Sequence, residues 1–160
     1  MKQSEELVGR LTRAGLTVCA AESCTGGALC ARIVDAAGAS AAFKGGVVSY
    51  TEQIKSRLLG VSPDLISLCG VVSEEVAAAM AEGARKALGT DLAVSTTGVA
   101  GPSGGTEQAP LGTVCIGISG ALGTRTCTLH LTGSRDEVRG AAVDAALTHL
   151  LAYLSEQGVF

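Results

Sequence analysis

The stretch Thr17-Val18-Cys19-Ala20-Ala21-Glu22-Ser23-Cys24-Thr25-Gly26-Gly27-Ala28-Leu29-Cys30-Ala31-Arg32-Ile33-Val34 decides how this chain is read. Residues 17–21 form a short apolar run, entered after Gly15, and read as a buried strand. From Ala28 the pattern turns helical and continues to about Ala37. Ser23 therefore sits where a strand becomes a helix, with two glycines just behind it. Such a turn exposes a side-chain oxygen and gathers free backbone N–H groups beside the positive end of a helix dipole. It suits a nucleophile beside an oxyanion hole, and equally a phosphate cradle. It also suits a plain helix cap, because Ser and Thr are favoured at that position, and the residues alone leave the three open.

Working outward, residues 4–14 read as an amphipathic helix capped by Ser4. Gly45 to Tyr50 reads as a second strand entered through a glycine pair, and Thr51 to Leu59 as a short helix closed by Gly60. A further short helix starts at Ser62-Pro63, and Ser73 caps an Ala-rich helix running to Leu88. Residues 91–97 form a third strand that empties into the glycine-dense loop 98–105. Strands at about 112–118 and 124–131 make a hairpin, and Ser134 opens a last helix to about Leu154. Helices interleaved with strands, ending in a hairpin, predict one α/β domain. The expected architecture is a three-layer α/β/α sandwich around a mixed sheet, spanning residues 1–160. In such sheets ligands bind where loops leave the carboxyl ends of strands, so loops 22–27, 50–55 and 97–105 are expected to share one rim.

Composition excludes several classes. The 160 residues are 47% hydrophobic yet only 2% aromatic, without Trp, so the core is built from Ala, Val, Leu and Ile. A net charge of −3 with no basic run argues against a nucleic-acid surface. No apolar stretch approaches the ~18 residues of a membrane span, and the polar start Met1-Lys2-Gln3-Ser4-Glu5-Glu6 is no signal peptide. A soluble cytoplasmic protein is expected. The six cysteines show no Cys-x-x-Cys pair and read as reduced thiols, so no metal is expected. Cys24, beside Ser23, stays open as a reactive thiol. The low charge and Ala-rich surface leave a homo-oligomer open.

A serine needs a base. His130 and His149 fall at the end of a hairpin strand and inside the last helix, and Gly-x-Ser-x-Gly is absent because Ala21 and Thr25 stand at the glycine positions. Of four lysines, Lys55 falls on the inferred rim, five residues past Tyr50. As a base it must be neutral, which needs its pKa lowered by about 3 units through burial or nearby positive charge. A solvated helix lysine is the alternative. The Gly98–Gly105 loop is no P-loop but could approach an anion, and Arg135 and Arg139, one turn apart, could pair with a phosphate.

Taken together, Ala21-Glu22-Ser23-Cys24-Thr25-Gly26-Gly27, Phe43-x-Gly45-Gly46 leading to Tyr50, Lys55 and Leu59-Gly60-Val61 resemble the CinA C-terminal domain family. The match continues through Gly70-x-Val72-Ser73, Thr97-Gly98-x-Ala100-Gly101-Pro102-x-Gly104-Gly105, Pro110-x-Gly112-Thr113-Val114 and Gly133-x-Arg135-x-x-Val138-Arg139. The resemblance implies a three-layer α/β/α fold and nicotinamide-nucleotide amidase activity, converting nicotinamide mononucleotide to nicotinic acid mononucleotide and ammonia without a cofactor. It implies Ser23 as nucleophile, Lys55 as general base and Tyr50 as assistant. Backbone N–H groups near Thr25, Gly26 and Gly27 would hold the oxyanion. Thr97, Gly98, Gly101, Gly104 and Gly105 would line the substrate, with Arg135 or Arg139 on its phosphate. Many members carry a further N-terminal domain resembling molybdopterin-binding proteins, and no pyrophosphatase activity tied to that domain is expected here. A non-catalytic nucleotide-binding or regulatory module is the alternative reading. Members often have an aromatic residue where this chain has Ala42, and a stacking role there would weaken ring binding.

Overall fold

A computed structural model describes Met1–Phe160. The chain runs α1 (Gln3–Ala14), β1 (Val18–Glu22), α2 (Ala28–Val34), a 3-10 turn (Ala39–Ala41), β2 (Phe43–Val48), α3 (Glu52–Leu59), α4 (Pro63–Cys69) and α5 (Glu74–Leu88). It continues through β3 (Leu92–Gly98), β4 (Thr113–Gly120), β5 (Gly123–His130) and α6 (Arg135–Glu156). The strands form one sheet in the order β2-β1-β3-β4-β5. β1 pairs parallel with both β2 and β3, while β3–β4 and β4–β5 pair antiparallel. The sheet is mixed, with helices on both faces, as the element order predicts.

β1 is buried along its whole length because it is flanked by strands and covered on both faces, so it carries no polar alternation until Glu22. Val18, Ala20, Leu92, Val94, Ile116 and Ile118 face α1, α2 and α6 in the larger core. Cys19, Ala21 and Ala93 face α3, α4 and α5 in the smaller one. Alternate residues of the same strands thus feed two cores. No helix is long and apolar enough to cross a membrane.

Several boundaries differ from expectation for visible reasons. Ser4 does not cap α1; Lys2 holds that position, its N–H donating to the Glu5 carboxylate, while Ser4 is buried in the first turn. β2 begins two residues early because Phe43 already pairs with Val18. Its glycines lie inside the strand, where a Cβ on Gly46 would meet Cys30 Sγ of α2 at 2.3 Å. α2 ends at Val34 and gives way to the 3-10 turn. Thr51, Ser62, Ser73 and Ser134 cap α3, α4, α5 and α6 through their side chains.

Candidate active site

β1 delivers the chain at Glu22, and residues 23–27 turn it into α2. Gly26 (φ 59°) and Gly27 (φ 100°) take the left-handed conformation that a side chain resists, which is why this turn needs two glycines. Glu22 is fully buried, and its carboxylate caps the helix from below. Oε1 accepts from the N–H groups of Gly27 (3.1 Å) and Leu29 (2.9 Å), and Oε2 accepts from Cys30 (2.9 Å). A buried polar side chain is tolerable there because three backbone donors at the start of the helix satisfy its oxygens. From the opposite side Arg139 of α6 donates through Nε to Cys24 O (3.0 Å) and through Nη2 to Thr25 O (2.9 Å). The turn carrying Ser23 is fixed from both ends.

α3 supplies the second group. Lys55 lies one turn into that helix and is only 1% exposed. Its Nζ bonds to Ser23 Oγ at 2.8 Å and to the Ser49 carbonyl at 2.6 Å. It makes no salt bridge. Burial pushes the Lys55 ammonium below the ordinary lysine range. Cys24 behaves in the opposite sense: burial pushes its thiol up to about 11. At neutral pH that thiol is protonated, so it neither offers Lys55 a counter-charge nor acts as a ready nucleophile.

The loops after β1, β2 and β3 meet along one rim, as the parallel order requires, and enclose a cleft of about 370 Å³. Ser23 and Lys55 lie in its wall with Tyr50, Thr97, Gly98, Gly101, Gly104 and Arg135. Arg135 spans the cleft: Nη1 donates to Gly101 O (2.7 Å) and Nη2 to the Tyr50 hydroxyl (3.2 Å). Thr97 faces the cleft while its hydroxyl donates to Val71 O. The Gly101–Pro102 peptide is cis. His149 is remote, its Nε2 resting 3.4 Å from Cys127 Sγ. No group of three or more His, Cys, Asp or Glu side chains is placed to hold a metal ion.

Four expectations are corrected here. The N–H groups of Gly26 and Gly27 are engaged by Ser23 O and Glu22, which removes them as oxyanion donors. The N–H of Thr25, the third of the expected donors, donates to no protein group. Arg139 lies behind the turn, bonded to its carbonyls, instead of in the cleft; of the two arginines only Arg135 reaches it. Tyr50 lines the same cleft as Ser23 and Lys55, its hydroxyl accepting from Arg135. Gly105 lies outside the cleft wall, against Leu111. Ala42 is buried in the larger core, so a residue there touches no ligand in this cleft. The residues that sequence reasoning passed over are Glu22 and Ser49. Glu22 left one signal, an acid at the end of an otherwise apolar strand; the carbonyl of Ser49 left none.

The family model for the CinA C-terminal domain matches residues 1–154. The chain belongs to the CinA C-terminal domain family. A CinA-like protein from Mycobacterium marinum is 48% identical over 155 residues, covering 96% of this chain and 36% of its own. A putative competence-damage inducible protein from Halothermothrix orenii is 43% identical over 94% of this chain and 37% of its own. The chain thus spans little more than a third of the curated relatives it matches. Among solved structures, the CinA superfamily protein from Escherichia coli superposes with a TM-score of 0.90 at 35% identity, covering 93% of this chain and 87% of that one. The corresponding protein from Klebsiella pneumoniae gives 0.92 at 30% identity, with 96% of both chains covered.

Proposed function

We propose that this CinA-family chain is a serine–lysine amidase that converts nicotinamide mononucleotide to nicotinic acid mononucleotide and ammonia. The observation carrying the proposal is the buried 2.8 Å contact between Ser23 Oγ and a Lys55 amine that no carboxylate neutralises. In the neutral form Lys55 accepts the Ser23 proton as Oγ bonds to the carboxamide carbon and the carbonyl pair moves onto oxygen. Collapse of that oxyanion expels the amide nitrogen, which takes the proton from Lys55 and leaves as ammonia. Water then adds to the acyl ester by the same route and restores Ser23. N–H donors at an oxyanion are each worth about 3–4 kcal/mol, enough to make the turn geometry decisive.

Recognition of a mononucleotide is supported by the glycine-lined wall and by Arg135 at the cleft, a cation fit for a 5′-phosphate. Six free thiols suit the reducing interior of the cell, where this substrate pool would lie. The test is ammonia release from nicotinamide mononucleotide by purified protein, with Ser23→Ala and free nicotinamide as controls. Release is expected to need both Ser23 and the nucleotide. Nucleotide recovered unchanged, though bound, would make the chain a binding module and Ser23 a structural turn residue.

A further inference from the structure

Arg139 has no anionic partner. It spends its charge on two backbone carbonyls, those of Cys24 and Thr25, from the α6 side of the sheet. A peptide unit is planar and trans, so the Cys24 carbonyl and the Thr25 N–H point in opposite directions. With the carbonyl drawn toward Arg139 of α6, the planar peptide turns the N–H the other way, away from α6. That N–H donates to no group in the protein. A charge-assisted bond onto a carbonyl polarises the whole peptide and makes its N–H a stronger donor. Glu22 complements this by taking the N–H groups of Gly27, Leu29 and Cys30, so the turn cannot relax toward α2.

We propose that Arg139 is a positioning residue: it orients and polarises the Cys24–Thr25 peptide, whose N–H stabilises the oxyanion formed at Ser23. The proposal rests on Ser23 being the nucleophile, and it touches the reaction without touching the substrate. The loss on removing Arg139 therefore falls on kcat and leaves KM in place.

The test uses the full chain and two variants, Arg139→Gln and Arg139→Lys, each checked by circular dichroism. A fluorophosphonate is the probe. It phosphonylates an activated serine by displacing fluoride, and its phosphoryl oxygen occupies the oxyanion position without any pyridine nucleotide. Labelling of Ser23, followed by mass spectrometry, is expected to slow about tenfold or more in Arg139→Gln, which weakens a donor, against the ~10²–10³-fold lost when an oxyanion donor is removed outright. Arg139→Lys, which keeps the charge, is expected to restore most of the rate. Ammonia release from nicotinamide mononucleotide should lose kcat by the same factor, with KM within about twofold.

Labelling of Arg139→Gln at the wild-type rate overturns the proposal, and so does a raised KM at unchanged kcat, which would put Arg139 on the substrate. Should Arg139→Gln fail to fold, Arg139→Lys decides alone: a loss beyond about tenfold refutes the role of charge. Wild-type labelling without ammonia release would refute the substrate proposed above and leave the Arg139 comparison in force. Absence of labelling in the wild type removes the activated serine, and the role of Arg139 falls with it.

Discussion

A lysine ammonium in water is hydrated on every side; Lys55 exchanges that shell for one hydroxyl and one carbonyl. Burial therefore favours its neutral form and lowers its pKa from the ordinary value. A base must be unprotonated to act, so activity is lost as pH falls through that lowered value and levels off above it. The pH profile of kcat/KM is expected to rise and reach its plateau below the pKa of a free lysine, about 10.4. A profile still rising at that pH would remove Lys55 as the base. Glu22 acts through acceptance alone, its two oxygens taking three backbone N–H groups. In Glu22→Gln one oxygen becomes an NH2 group, and whichever way the amide turns, a donor faces at least one backbone N–H. A loss of about 2 kcal/mol is expected, read from urea midpoints at constant slope.

At the scale of elements, close approach decides what glycine does. Gly83 lies inside α5, where Ala would ordinarily add roughly 1 kcal/mol of helix stability. A Cβ there would sit 1.9 Å from Leu59 O at the end of α3. The clash outweighs propensity, and Gly83→Ala is expected to destabilise by about 1–3 kcal/mol in urea unfolding. Since α3 also carries Lys55, the same variant should slow ammonia release. The elements themselves were legible in the chain: caps at Ser73 and Ser134, terminators at Gly60 and Gly89, and apolar runs for the strands announced nearly every one. Ser23 and Lys55 were legible because each stands at a strand exit, where the fold class places ligands. The direction of a side chain across the sheet was not. Arg139 and Cys24 are 115 residues apart, and no periodicity tells whether an arginine at the start of α6 points into the cleft or behind the turn. The seat of Ala42 is hidden for a similar reason, because a position next to β2 does not reveal which core it enters.

The whole molecule converges on its cleft from both helical layers, with the Ser23 turn, the start of α3, the loop after β3 and the first turn of α6 all in its wall. A ligand bound there adds to the direct bonds that already join these elements, those of Lys55 to Ser23, Arg135 to Gly101 and Arg139 to the Ser23 turn. With Ser23→Ala holding the nucleotide unconverted, a concentration 100 times Kd adds about 2.7 kcal/mol to the folded state. For a domain of this size that raises Tm by about 5–10 °C, measured by scanning calorimetry with and without nicotinamide mononucleotide. An unchanged Tm at saturating nucleotide would refute binding in this cleft. The last helix has a practical side as well. α6 is 22 residues long, or about 33 Å, and begins with Arg135 in the cleft wall. Its far end leads to Phe160, which is 73% exposed. A fluorophore or a solid support attached at Phe160 would be held a full helix length away from the mouth of the cleft, leaving it open to the bath.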